Sequence, residues 1–230
     1  MSRRPAFPSR FLLPLCLGLL CASASPAQTP PGNGIRISTA PSPAATQLAR
    51  AQLLLRDGQF DDAFRQYQQI LAEQPRQRDA LLALAVLRQH SGDSRQAAHF
   101  LERLLTEQPD DLEALARQVL LQADSDPEGG EARLRLALQA APHAAALHFA
   151  LGCLHARQRR WHEARAAFQA AHAGDSQNPD YLYNLAISLD QLHRPQEAAS
   201  LYRQALHLAA LRPAGFHTSE IGRRLAELQQ

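Results

Sequence analysis

Among ten histidines, His148, His155 and His162 stand at intervals of seven, with Cys153 between the first two. Imidazole and thiolate are zinc ligands and acid–base or redox groups, so these four residues are the first place to look for chemistry. Their spacing argues against a shared site. A helix that binds zinc places two histidines four residues apart with a glutamate between them, and structural zinc sites use paired cysteines. Neither pattern occurs. The reading is therefore packing or surface histidines, with no cofactor and no metal; a metal- or redox-active protein built on the histidines and Cys153 stands as the alternative. Arg157, Arg159, Arg160 and Trp161 could clamp phosphate and base, but so short a basic run suits a solvated turn beside a core tryptophan. No phosphate loop, nucleophile motif or carboxylate constellation is present, so the chain is not expected to be an enzyme.

The elements that position these residues repeat. Thirty-four residues separate Pro75 from Pro109, Gly58 from Gly92, Ala63 from Ala97 and Leu71 from Leu105. The interval returns where Gly152, Ala164, Phe168 and Ala171 are followed by Ala186, Ala198, Tyr202 and Ala205. Small residues recur in pairs: Ala51 and Ala63, Ala85 and Ala97, Val119 and Gly130, Gly152 and Ala164, Ala186 and Ala198. A large side chain at either member would force crossing helices apart. Tyr67, Leu101, Leu134, Phe168 and Tyr202 follow as packing residues. Gly58 and Gly92 fall where a first helix ends and can take the left-handed conformation, whereas Arg159 and His193 occupy the same place later. In the third unit Asp126 and Pro127 can open a helix, and Gly129 and Gly130 predict local looseness.

A period of 34 with small residues at fixed offsets resembles the tetratricopeptide repeat, a helix-turn-helix unit. The resemblance implies an all-α superhelical solenoid over residues 44–212, with units at 44–77, 78–111, 112–144, 145–178 and 179–212. A capping helix is expected over 213–230, running through Ile221, Leu225 and Leu228 with Arg223, Arg224 and Glu227 toward water. It also implies packing positions for His148 and His155, an inter-helix place for Trp161, and binding rather than turnover. In such proteins the inner face of each first helix lines a ligand groove. Here that face carries Leu82, Ala83, Val86, Leu120, Phe149, Cys153, Tyr183, Asn184 and Ile187. This apolar stripe suits a protein or peptide partner docked as a helix or extended segment, and equally suits packing between adjacent helices. The lysine and asparagine set with which chaperone-binding members grip a terminal carboxylate is matched only at Asn184, which disfavours that ligand.

The N-terminus carries an address. Arg3, Arg4 and Arg10 precede an apolar run from Phe11 to Cys21 and small residues at Ala22, Ala24 and Ala27, which reads as a secretory signal peptide over 1–27. Cleavage after Ala24 or Ala27 fits, and the run is too short for a membrane span. A lipid anchor on Cys21 is the alternative, but Leu20 stands where such signals place a small residue. Removing the signal leaves 21 basic residues, all arginine, against 22 acidic ones, so the mature chain lacks the basic footprint of a nucleic-acid binder. It also leaves Cys153 alone, so no internal disulfide forms. Residues 28–43, rich in proline and glycine, read as a linker. The segments Tyr181 to Asp190 and Ala198 to Leu206 are similar to C-terminal repeats of biogenesis proteins for mannose-sensitive haemagglutinin and other type IV pili. That likeness implies a periplasmic adaptor for pilus or type II secretion assembly.

Overall fold

The computed structural model describes residues 43–228, and among them eleven α-helices and no strand. The expected signal peptide over 1–27 and nearly all of the expected linker over 28–43 lie outside the described residues. Helices α1 (Pro43–Arg56) and α2 (Phe60–Glu73) form the first hairpin, α3 (Arg78–His90) and α4 (Ser94–Glu107) the second. The third is α5 (Leu112–Gln122) with α6 (Pro127–Ala140), and the fourth is α7 (Ala145–Arg157) with α8 (Trp161–Gly174). The fifth is α9 (Pro179–Gln191) with α10 (Pro195–Ala209), and α11 (Thr218–Leu228) follows. Each helix packs on its sequence neighbours, so the core is a chain of local clusters, as a solenoid requires.

Short polar side chains start these helices. Asp93, Asp111 and Asp126 each accept a hydrogen bond from the backbone N–H three residues on, and Asn178 from the one two residues on. Such a cap satisfies a donor that has no partner within the helix. Four hairpin turns close identically. The backbone N–H of Gln59, Asp93, Arg160 and Arg194 each donates to the carbonyl five residues back, at 2.9 Å. This bond defines a Schellman turn, whose penultimate residue must be left-handed. That residue is Gly58 (φ +74°), Gly92 (φ +82°), Arg159 (φ +58°) or His193 (φ +58°).

The third unit differs. Helix α5 has 11 residues where α3, α7 and α9 have 13, and Asp126 closes its turn by a bond to the carbonyl four residues back. The shorter helix and altered turn account for a unit one residue short. Helix α6 runs unbroken through Gly129 and Gly130.

The small residues mark the closest helix crossings. Ala51, Ala63, Ala97, Ala164, Ala186 and Ala198 are fully buried. A Cβ on Gly152 would stand 2.6 Å from the Phe168 ring, and one on Gly130 would stand 2.9 Å from Val119 Cγ1. Both distances are below van der Waals contact, so glycine sets the helix separation in these hairpins.

Candidate functional site

The four residues with chemical potential do not form one site. His148 Nε2 lies 2.7 Å from the Pro142 carbonyl oxygen, and His162 is exposed on α8. His155 is buried against Arg160, with Nδ1 3.9 Å from Glu131. Burial and the nearby Arg160 guanidinium push its pKa below the usual imidazole value, despite the pull of Glu131. Among the described residues no three histidine, cysteine, aspartate or glutamate side chains group as metal ligands. Burial lifts the Cys153 thiol to about 12, the opposite of what a reactive thiolate needs. The basic turn is largely engaged within the fold. Arg157 pairs with Asp124 at 3.0 Å, Arg160 pairs with Glu131, and Trp161 packs against two core clusters.

The predicted groove residues divide into two groups. Leu82, Ala83, Val86, Phe149, Cys153, Tyr183 and Ile187 are buried, at 5% exposure or less, while Leu120 and Asn184 are partly open. Inter-unit packing explains much of this burial. Leu82 shares a cluster with Ala114 of the next unit, and the Phe149 ring lies 5.0 Å from that of Tyr181. In both cases the filling residue is the third of the following unit's first helix.

In the last unit the chain covers its own inner face. Asp180, Tyr183, Ile187 and Asp190 follow at spacings of three, four and three along α9 and so share one stripe. The Gly215 backbone N–H donates to Asp180 Oδ1 at 2.8 Å, and the Phe216 ring stacks on Tyr183 at 4.5 Å. Ile187 joins the cluster that holds Phe216 and Ile221. The Arg224 guanidinium donates in a fork to both Asp190 oxygens, each at 2.7 Å, and the Tyr202 hydroxyl approaches one of them at 3.4 Å. Helical periodicity puts Arg224 toward water. The structure instead turns it inward, because Asp190 is buried and a planar guanidinium fork satisfies both carboxylate oxygens at once. Asn184 donates from Nδ2 to the Asp180 carbonyl oxygen at 2.8 Å.

Asp180 is the anomalous group in this stripe. It is 2% exposed, and its Oδ2 has no hydrogen-bond partner among the described residues. Burial lifts its pKa to about 6, against the opposing effects of the Gly215 N–H and the Arg117 charge. The capping helix through Ile221 was expected from the sequence, whereas the cover that Gly215 and Phe216 place over α9 and the buried Asp180 carboxylate were not found by sequence reasoning. The spacing of one full period between Asp190 and Arg224 was the available signal for the ion pair.

Family models for the tetratricopeptide repeat match residues 54–119, 119–179 and 149–214, and the chain belongs to that family. Members are in general non-catalytic scaffolds that bind protein partners. Among solved structures the chain is similar to TTC0263, a tetratricopeptide protein of Thermus thermophilus. The TM-score is 0.67 at 22% identity, over 81% of this chain and 98% of that one. It is also similar to PilW, described as a widely conserved type IV pilus biogenesis factor, with a TM-score of 0.60 at 17% identity, over 83% and 87%. A tetratricopeptide protein of Parabacteroides merdae aligns at 0.53 and 14%, over 84% and 86%. No curated protein sequence matches the chain. These structural likenesses establish the fold.

Proposed function

We propose that the chain is a periplasmic adaptor that binds a protein or peptide partner in the bacterial envelope and serves assembly of a type IV pilus or the related type II secretion system. One observation carries this reading: an array of five helical hairpins shares its architecture over most of its length with a type IV pilus biogenesis factor. The apolar segment behind Arg3, Arg4 and Arg10 supports export. Among the described residues no helix is long and apolar enough to cross a membrane. The work is binding, for which Leu120 and Asn184 offer partly open positions on the inner face.

The test is a photo-crosslinking residue placed at Leu120 or Asn184 of the full chain, expressed in cells, fractionated and analysed by mass spectrometry. Adducts with pilus or secretion components in the periplasmic fraction are expected. A chain retained in the cytoplasm, or one that yields no adduct to either machine, overturns the proposal.

A further inference from the structure

The connections between successive units hold four residues in each inner case, spanning 74–77, 108–111, 141–144 and 175–178. The last connection, 210–217, holds eight. Thirty-four residues after Pro179 comes Pro213, so a further first helix is due to begin there, yet α11 begins at Thr218. Residues 213–217 therefore fill the place of a first helical turn without being helical. Their sequence is Pro-Ala-Gly-Phe-His, and the glycine lowers helical propensity there without forbidding a helix, as the unbroken α6 over Gly129 and Gly130 shows.

This difference changes what covers the inner face. In the inner units Leu82 and Phe149 are covered by Ala114 and Tyr181, each held in a hydrogen-bonded helix. Tyr183 is covered by Phe216, which belongs to an irregular segment flanked by the exposed His217 and Pro213. Segments without helical hydrogen bonds open locally at lower cost than the helices beside them. The described hold of this segment on α9 consists of one ring stack, one main-chain hydrogen bond to Asp180 and the apolar contacts of Ala214 and Phe216. The second oxygen of that carboxylate is buried and idle. An entering segment could reproduce the first contacts and add a donor to the idle oxygen.

We propose that the Asp180–Tyr183 face of α9 is a docking site for an extended segment of a protein partner, and that residues 213–217 are its built-in, displaceable occupant. The segment it fits carries an aromatic residue directly after a residue with a free main-chain N–H, with a further donor in reach of Asp180 Oδ2. This deepens the adaptor reading, since it specifies the ligand of a protein-binding array. Its test uses the chain's own sequence as ligand, so failure of the pilus assignment leaves the readout unchanged.

The probe is a fluorescent peptide of residues 211–219, titrated by anisotropy into the full chain and into its Phe216→Ala variant. Emptying the site removes the internal competitor, so the variant is expected to bind at least about tenfold more tightly than the parent. A peptide with Phe216→Ala should not bind, and adding Tyr183→Ala to the variant chain should abolish capture. A variant that keeps the parental helical signal but binds no better than the parent overturns the proposal. Where Phe216→Ala loses helix, hydrogen exchange on the unsubstituted chain decides. Excess peptide must then speed exchange of 213–217 while α9 and α10 stay protected, and unchanged exchange across 213–217 overturns the proposal.

Discussion

The first two hairpins and the last two use one turn geometry with different residues. Gly58 and Gly92 adopt the left-handed conformation without cost from a Cβ, whereas Arg159 and His193 adopt it with one. The cores differ in parallel. The N-terminal clusters are built chiefly of leucine and alanine, while the C-terminal ones contain Phe149, Phe168 and Tyr181, then Tyr183, Tyr202 and Phe216. Among the described residues buried ionic groups separate the two pairs as well: His155, Asp180 and Asp190 lie in the last two hairpins, Asp111 and Arg117 at the third, and none in the helices of the first two. A left-handed arginine or histidine costs on the order of 1 kcal/mol or more, and aromatic pairs contribute about 0.5–1.5 kcal/mol each beyond area burial. Turn strain is thus tolerated where packing is heaviest, and the period specifies the position of the turn more strictly than the residue in it.

The largest test of this contrast removes the ion pair that fastens α11. Replacing the buried carboxylate takes both bonds of the fork from Arg224 and leaves it with the exposed Glu227, 2.7 Å away, so Asp190→Ala should cost about 3 kcal/mol. That is the low end for such pairs, because a quarter of the Arg224 side chain stays in water. Hydrogen exchange should show α9 to α11 losing protection while α1 to α4 keep theirs. Uniform loss along the array would mean that the two halves are not separable.

A second test uses pH. Asp180 is raised in the folded state from 3.8 to about 6, so the folded chain holds the proton more tightly than the unfolded one. Its contribution to stability is full below pH 4 and is lost as pH rises through 6, by on the order of 3 kcal/mol. The Asp180→Asn variant lacks this loss. The difference in stability between variant and parent should therefore shift in the variant's favour from pH 4 to pH 7 and level off above. Urea midpoints at several pH values measure it, and a difference independent of pH would remove the buried charge from the account.

The smallest effect bears most directly on the turns. Arg159→Gly and His193→Gly should each stabilise by about 1 kcal/mol, and Gly92→Arg should cost a similar amount. No atom lies within 4 Å of a Cβ built at Gly92, so backbone strain alone sets that cost. If denaturant midpoints do not move in opposite directions, the left-handed turn is not the distinction between the halves.

Much of this fold was legible because repetition is a property of the sequence itself. Ala63 and Ala97 mark crossings, Gly58 and Gly92 mark turns, and Arg159 and His193 stand in register with them. The fate of the inner face was not legible. Whether Phe149 meets solvent or Tyr181 depends on the approach of successive helices, which no spacing encodes. Phe216 lies in a stretch without helical periodicity, so nothing in its neighbours points to Tyr183. Arg224 was misplaced because a helical wheel sorts side chains by polarity and cannot register a buried acid on another helix.

Polar contacts between units run to the adjacent unit in each of these cases: Arg78 to Glu113 at 3.3 Å, Arg157 to Asp124 at 3.0 Å, and Arg224 to Asp190 at 2.7 Å. Each rivet therefore spans a single joint, and pulling the two ends apart loads the joints in series. The joint of lowest strength yields first and takes up the extension, leaving the others intact. A stretched molecule would lengthen in discrete steps of one hairpin and shorten again in the same steps, behaving as a shock absorber between whatever bodies grip its ends.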